Sequence, residues 1–187
     1  MKSYHESLGW LSPSRGVFYN GVNTENFYPR EKIDNQKVNI VTHHWSNNYL
    51  KGFDVYDWLD KWVEKNTDFT FTYIGRENGN FKNTKVVEPL FGKSLGDELG
   101  KYDVYVSASR YDPGPNHVLE SLASGIPTYV HVDGGGSVEF AGVDHSYKTL
   151  EDLEKILLSK RFEQNSMMPK DWKQCMPDLI NQIELKV

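Results

Sequence analysis

Apolar and polar positions recur along this chain with two periods, and the switching between them outlines a fold. Val38 to Thr42 is a short run of β-forming residues, and Phe53 to Glu64 then sets Val55, Trp58, Leu59, Trp62 and Val63 at helical spacing. Phe69 to Ile74 is β-branched and aromatic and stops at Gly75, and Lys85 to Val87 forms a further short strand before Pro89. Ser94 to Lys101 reads as a short helix weakened by two glycines, followed by a strand from Asp103 to Ser107. His117 to Ser124 is a helix closed by Gly125, with Pro127 just beyond. Thr128 to Val132 is a strand and Gly134 to Gly136 a flexible turn. Thr149 caps a helix whose Leu150, Leu153, Ile156 and Leu157 share one face. Asp171 to Leu185 is helical in pattern, but Pro177 should break or restart it. Short strands alternating with helices predict an α/β, Rossmann-like, three-layer α/β/α domain whose parallel sheet is covered on both faces.

The first part of the chain lacks this rhythm. Gly16 to Tyr19 reads as a short strand stopped by the turn dipeptide Asn20-Gly21, and residues 22–36 are polar, carry Pro29 and look like a linker. The expected division is an N-terminal segment and interdomain linker over 1–36 and the Rossmann-like domain over 37–187.

Composition narrows the possibilities. With 38% hydrophobic and 25% charged residues the chain supports a packed core. A net charge of −5 gives no overall attraction to nucleic acid or an anionic membrane, so nucleic acid is not an expected partner and any phosphate site must be built locally. Cys175 is the only cysteine, which excludes an internal disulfide; beside Trp172, Met176 and Leu179 it reads as a buried structural thiol. No run approaches the roughly 20 apolar residues of a membrane span, and the N-terminus lacks the apolar stretch of a signal peptide. The expectation is a cytoplasmic protein, with peripheral attachment of a longer enzyme to the inner face of a membrane left open.

In a parallel sheet ligands bind at the carboxyl ends of the strands, which directs attention to the loops at 43–52, 75–80 and 107–117. The segment from Ser107 to Pro127 runs strand, loop, helix, turn. Gly114 admits close approach of a ligand to the backbone, Asn116 is a suitable N-cap, and the helix from His117 offers amide groups to a phosphate. Such an N-terminus contributes about 0.3–1 kcal/mol per charge near the surface and up to ~2 when partly buried. Glu120, expected in the first turn, could accept two hydrogen bonds from a vicinal diol, each contributing about 1.5–3 kcal/mol. The bland alternative is that Glu120 complements the helix dipole and Asp112 shapes a turn. His43-His44 tempts a metal reading, but neighbours in a strand point to opposite faces, so no metal is expected. Ser109, Asp112 and His117 hold the residue types of a hydrolase triad without a nucleophile elbow. His131 and His145 read as structural, and Trp58 with Trp62 as helix core.

With seven residues between Asp112 and Glu120, this segment resembles the Glu-x7-Glu motif of retaining glycosyltransferases of the GT-B fold, the group 1 type. Ser109, Gly114, Leu119, Glu120, Ala123, Gly125 and Pro127 lie in or near the register of that motif. Tyr19 to Pro29 is similar to the Asn-Gly-Val-Asp segment joining the two halves of these enzymes; Lys51-Gly52, Tyr73-Ile-Gly75 and Gly134 to Glu139 resemble further family segments. The likeness runs over roughly residues 16–185 and implies a C-terminal, nucleotide-sugar-binding domain.

The resemblance implies roles for individual residues. Glu120 would hold the ribose hydroxyls, Asp112 would lie beside the donor sugar, and Lys51 would neutralise the diphosphate; these three form the expected catalytic set. Gly114, Asn116, His117 and Val118 would meet the sugar and diphosphate through the backbone, Pro89 and Leu90 would pack the base, and Arg76 could reach the nucleotide. The family's Gly-Arg before Lys-Gly is missing and His43-His44-Trp45-Ser46 stands there, so His44 or Ser46 would take over part of the phosphate contact. The first motif glutamate is the shorter Asp112, and Pro113 and Pro115 flank Gly114.

The implied reaction is transfer of a hexosyl group from a UDP- or GDP-sugar, with retention and without a metal or other cofactor, in polysaccharide or glycoconjugate synthesis. The acceptor-binding N-terminal domain would be missing, leaving a chain that binds donor weakly and has little or no activity alone. The alternatives are a degenerate, non-catalytic binding module and a nucleotide-sugar epimerase-like enzyme.

Overall fold

The computed structural model describes Ser7, residues 18–31 and residues 36–184. Six parallel strands form one sheet: β1 (Val38–His44), β2 (Phe69–Gly75), β3 (Lys85–Val87), β4 (Val104–Ser107), β5 (Thr128–His131) and β6 (Ser146–Tyr147), in the order β3-β2-β1-β4-β5-β6. The winding reverses between β1 and β4, and a crevice opens at the carboxyl ends of strands at such a point. The helices are α1 (Phe53–Lys65), α2 (Gly92–Leu99), α3 (Asn116–Ala123), α4 (Gly136–Ala141), α5 (Leu150–Ser159) and α6 (Trp172–Glu184). This is the expected α/β, Rossmann-like architecture.

Strand alternation sends the two sides of the sheet into separate cores. Ile40, Phe71, Tyr73, Val104 and Val106 pack with Tyr56 and Leu59 of α1 and Leu153 and Leu157 of α5. Val41, Ile74, Tyr105 and Val130 pack with Leu95 and Leu99 of α2, Val118 and Leu122 of α3 and Phe140 of α4. Trp62 is buried with Trp58 stacked on it, and Cys175 is buried.

Several local expectations change. β1 runs two residues past Thr42, so His43 and His44 belong to the strand and face opposite cores. α2 starts at Gly92, earlier than its pattern suggested. The Gly134–Gly136 segment is no flexible turn: it leads into α4, and its backbone lies against Asp112, with the Gly136 N–H donating to Asp112 O at 2.8 Å. Gly135 has φ 66°, and a Cβ there would sit 2.9 Å from the Asp112 carbonyl oxygen. Pro177 lies inside α6 without breaking it. Proline there removes one bond, to the carbonyl of Lys173, and both residues are exposed, so water can satisfy that carbonyl.

Residues 22–31 read as a linker, yet Val22 and Phe27 are buried in the second core and Arg30 bonds Asp97 of α2 at 2.8 Å. Gly96 makes this packing possible, because a Cβ there would fall 2.0 Å from Asn26 O. Of the strand expected over Gly16 to Tyr19, Gly16 and Val17 lie outside the described residues, and Phe18 and Tyr19 are not in a strand.

Candidate functional site

A cavity of about 380 Å³ opens at the carboxyl ends of the strands, within the usual range for a small-molecule site. Its walls include His43, His44, Trp45, Ser46 and Lys51 from the chain leaving β1, Pro89 and Leu90 before α2, and Asp112, Gly114, Asn116, His117 and Glu120 from the loop and helix after β4. Of the residues singled out from the sequence, Arg76 and Val118 do not line it. Arg76 is exposed, with its guanidinium 4.1 Å from the centre of the Trp45 ring. Val118 is fully buried in the core of α3, and its amide bonds Pro115 O at 2.9 Å. A second cavity of about 510 Å³, beside Tyr19, Phe140, Met167 and Met168, contains none of the expected site residues.

Lys51 is placed by a short 3-10 turn, Tyr49–Lys51, whose Leu50 amide donates to the Asn48 side chain. Gly52 follows with φ 90°, and a Cβ there would collide with Ala108 at 2.3 Å. Glycine is therefore required for the turn to lie against the end of β4. The Arg110 N–H donates to Leu50 O at 2.8 Å, and the Arg110 guanidinium makes a two-pronged bond to Asp54 at 2.9 and 2.7 Å. Arg110 thus ties the two loops that carry Lys51 and Asp112, a role that required knowing which loops meet.

The charged groups meet in pairs. Lys51 Nζ lies 2.8 Å from Asp112 Oδ2, and Asp112 Oδ1 accepts the Gly114 N–H at 3.2 Å. Burial raises the Asp112 pKa, but the hydrogen bond and charge of Lys51, with the Gly114 amide, outweigh it and hold the carboxyl below its ordinary value. Asp112 is thus an ionised group sitting where an anionic ligand would otherwise meet Lys51 and the Gly114 amide. Glu120 is the fifth residue of α3 rather than a first-turn residue, and its Oε2 lies 2.8 Å from His43 Nε2. That position weakens the reading of Glu120 as a mere complement to the dipole, which acts on the first turn.

The N-terminus of α3 also differs from its expectation. Pro115, not Asn116, is the cap residue; Asn116 is the first helical residue, and its Oδ1 accepts from Asn20 Nδ2 at 3.3 Å. The amides of Asn116, Val118 and Leu119 bond carbonyls of Gly114 and Pro115. The His117 amide is left as the first-turn donor with no backbone acceptor among the described residues.

The histidines are buried. His44 Nε2 lies 2.6 Å from Tyr56 OH, and burial first, then the neighbouring His117, His43 and Lys51, hold its pKa well below the ordinary value. Burial likewise lowers His117 to about 3, and its Nε2 lies 2.8 Å from Ser107 Oγ. Neither is a cation near neutral pH, so neither replaces the charge of a missing arginine. Ser107, His117 and Asp112 do line up, with His117 Nδ1 3.9 Å from Asp112 Oδ2, but Ser107 is fully buried and so cannot act on a substrate. Ser109 instead donates to Asp112 Oδ2 at 3.4 Å. At the mouth of the cavity exposed Trp45 and Phe91 form an edge-on pair 4.8 Å apart.

No family model matches the sequence, and no curated protein matches it. Solved structures do. Sucrose-phosphate synthase from Thermosynechococcus elongatus superposes on the whole chain with a TM-score of 0.71 at 15% identity. TarM covers 89% of the chain with a TM-score of 0.65 at 14% identity. The C-terminal domain of LpcC, a glycosyl transferase group 1 family protein from Francisella tularensis, covers 88% with a TM-score of 0.52 at 16% identity, and the chain covers 88% of that domain. The fold is that of a GT-B glycosyltransferase domain. The chain spans 57% of the sucrose-phosphate synthase and 38% of TarM, about half of such proteins. Among the described residues no helix is long and apolar enough to cross a membrane.

Proposed function

We propose that this chain is the donor-binding part of a retaining glycosyltransferase that uses a nucleoside diphosphate sugar. The observation that carries the reading is convergence: Lys51, Asp112, Glu120 and the start of α3 line one cavity at the point where the sheet reverses its winding. In this reading the diphosphate displaces Asp112 from Lys51 and takes the Lys51 ammonium and the His117 amide. These fixed donors stabilise the leaving group as its charge develops, without a metal ion. Glu120 accepts the ribose hydroxyls, Asp112 turns to the donor sugar, and the base packs by Pro89 and Leu90. The bond from the anomeric carbon to the phosphate breaks, a bond to the acceptor oxygen forms on the same face, and the acceptor proton passes to the departing phosphate. Acceptor groups come from a partner domain. A structure of TarM was solved with UDP, and that supports a nucleotide-sugar donor here. Calorimetry with UDP, GDP and their sugars tests the reading: binding is expected in the micromolar to millimolar range, and no heat with any of them at millimolar concentration ends it.

One observation favours a second reading, a binding module that has lost its chemistry: both Lys51 and the Gly114 amide are already engaged by Asp112. Joining this chain to an acceptor domain and assaying donor hydrolysis separates the two. Slow hydrolysis that disappears in Lys51→Met supports the enzyme, and binding without hydrolysis supports the module.

A further inference from the structure

Glu120 would be a poor ligand for a diol if its carboxylate were free to swing, since three rotatable bonds separate it from the backbone. The structure removes that freedom from the strand side. The His43 N–H donates to Tyr105 OH at 3.1 Å, Tyr105 OH donates to His43 O at 3.3 Å, and the imidazole meets the Tyr105 ring edge-on at 5.5 Å. This fixed, buried ring places Nε2 2.8 Å from Glu120 Oε2. A carboxylate only accepts, so Nε2 carries the hydrogen and donates it. The other nitrogen, Nδ1, is buried and has no hydrogen-bond partner among the described residues. An apolar residue would fill this site in the core without leaving a buried nitrogen unpaired, an omission that destabilises a fold. What the imidazole supplies in return is the one bond to Glu120. Glu120 Oε1 takes no hydrogen bond from any described residue, and Glu120 lines the cavity.

We infer that His43 is a positioning residue that aims the Glu120 carboxylate at the ribose diol and so sets a preference for ribonucleotides over deoxyribonucleotides. The inference rests on the reading of Glu120 as the ribose ligand. It gives work to a residue in the place where the family pattern has no histidine.

The test is calorimetric titration of the 187-residue chain with UDP and 2′-deoxy-UDP, and in parallel with GDP and 2′-deoxy-GDP. The wild type should prefer the ribonucleotide by about tenfold, the worth of a charge-assisted hydrogen bond to a hydroxyl. His43→Leu should reduce that ratio to about one or two, leaving affinity for the deoxynucleotide within about twofold. His43→Gln, whose amide can still donate to Glu120, should restore most of the ratio; a role confined to stability would not follow that pattern. If the wild type binds nucleotide with no ribose preference, or binds none, the reading of Glu120 fails and the inference falls with it. If the wild type discriminates and His43→Leu discriminates equally, the inference alone is overturned. Should His43→Leu not fold, ¹⁵N NMR of the wild-type imidazoles decides: the ribonucleotide must shift the His43 Nε2 signal more than the deoxynucleotide does, and equal shifts overturn the inference.

Discussion

On one side of the cavity the chain leaving β1 is fixed mostly by side chains, with a backbone bond from the Arg110 amide to Leu50 O: His44 on Tyr56, His43 on Glu120, the Asn48 cap, and Trp45 between Phe91 and Arg76. On the other side the chain leaving β4 is fixed mostly by its backbone, beside the side-chain bonds of Asp112 to Lys51 and Arg110 to Asp54. The Tyr111 amide bonds Asp133 O, and Gly136 and Gly135 lie against Asp112. The difference bears on which residues can change. A rim held by amides and carbonyls accepts new side chains as long as its glycines remain, and there the chain resembles the glycosyltransferase motif, with Asp112, Pro113 and Pro115 where it departs from it. A rim held by side chains must be rebuilt as a set, and there His43-His44-Trp45-Ser46 stands where the resembling motif has Gly-Arg.

The largest expected effect joins the two rims through acid. His44 and His117 are buried neutral, with pKa values pulled well below the ordinary one and to about 3 respectively. The unfolded chain takes up those protons near pH 6.5, whereas the folded one does not. Stability from these groups is therefore complete above about pH 6.5 and falls as the pH drops towards the folded values, by up to about 1.4 kcal/mol per pH unit for each. Urea midpoints at about pH 7.5 and about pH 5 measure this, and His117→Phe should remove about half of the slope. A flat profile would mean that these two imidazoles are not held neutral by burial.

Next comes the backbone-held rim. Gly135→Ala puts a Cβ 2.9 Å from Asp112 O at a positive φ. It should destabilise by about 2 kcal/mol, while Trp45→Ala on the side-chain-held rim should stay within about 0.5 kcal/mol. Equal effects in thermal melts would erase the distinction. Lys51→Met should weaken UDP or GDP binding by about tenfold, read by calorimetry. It should also shrink a second acid-side loss. The depressed Asp112 pKa contributes stability above about pH 4 that disappears as the pH falls through the folded value, and without Lys51 that depression lessens. The smallest effect is a gain. Asp112→Asn frees Lys51 from its ion pair, so pyrophosphate should bind about threefold to tenfold more tightly. Unchanged affinity would mean that the pair does not compete with anions.

Much of this was legible beforehand where a local pattern carries the signal. The apolar faces of α1 and α5, the strands β2, β4 and β5, and the Thr149 cap follow from spacing and chemistry within a few residues. The convergence of Lys51, Asp112 and Glu120 on one crevice was expected from the rule that parallel sheets bind ligands at their carboxyl ends and from the resemblance. What stayed hidden depends on distant partners. His43 meets Glu120 across 77 positions, Arg110 meets Asp54 across 56, and neither pair leaves a trace in periodicity. α4 was unreadable because three glycines signal a turn, while here two of them, Gly135 and Gly136, signal close approach to Asp112. Residues 22–31 read as a linker because only Val22 and Phe27 among many polar neighbours enter the core.

The reversal of winding between β1 and β4 places the two rims on different crossovers. The chain leaving β1 runs into α1 on one face of the sheet and the chain leaving β4 into α3 on the other, so either rim can be replaced while the other crossover keeps its packing. A chimaera in which residues 43–52 are replaced by a Gly-Arg-bearing loop from another protein of this fold should still assemble, provided that Tyr56 and Glu120 are offered new companions.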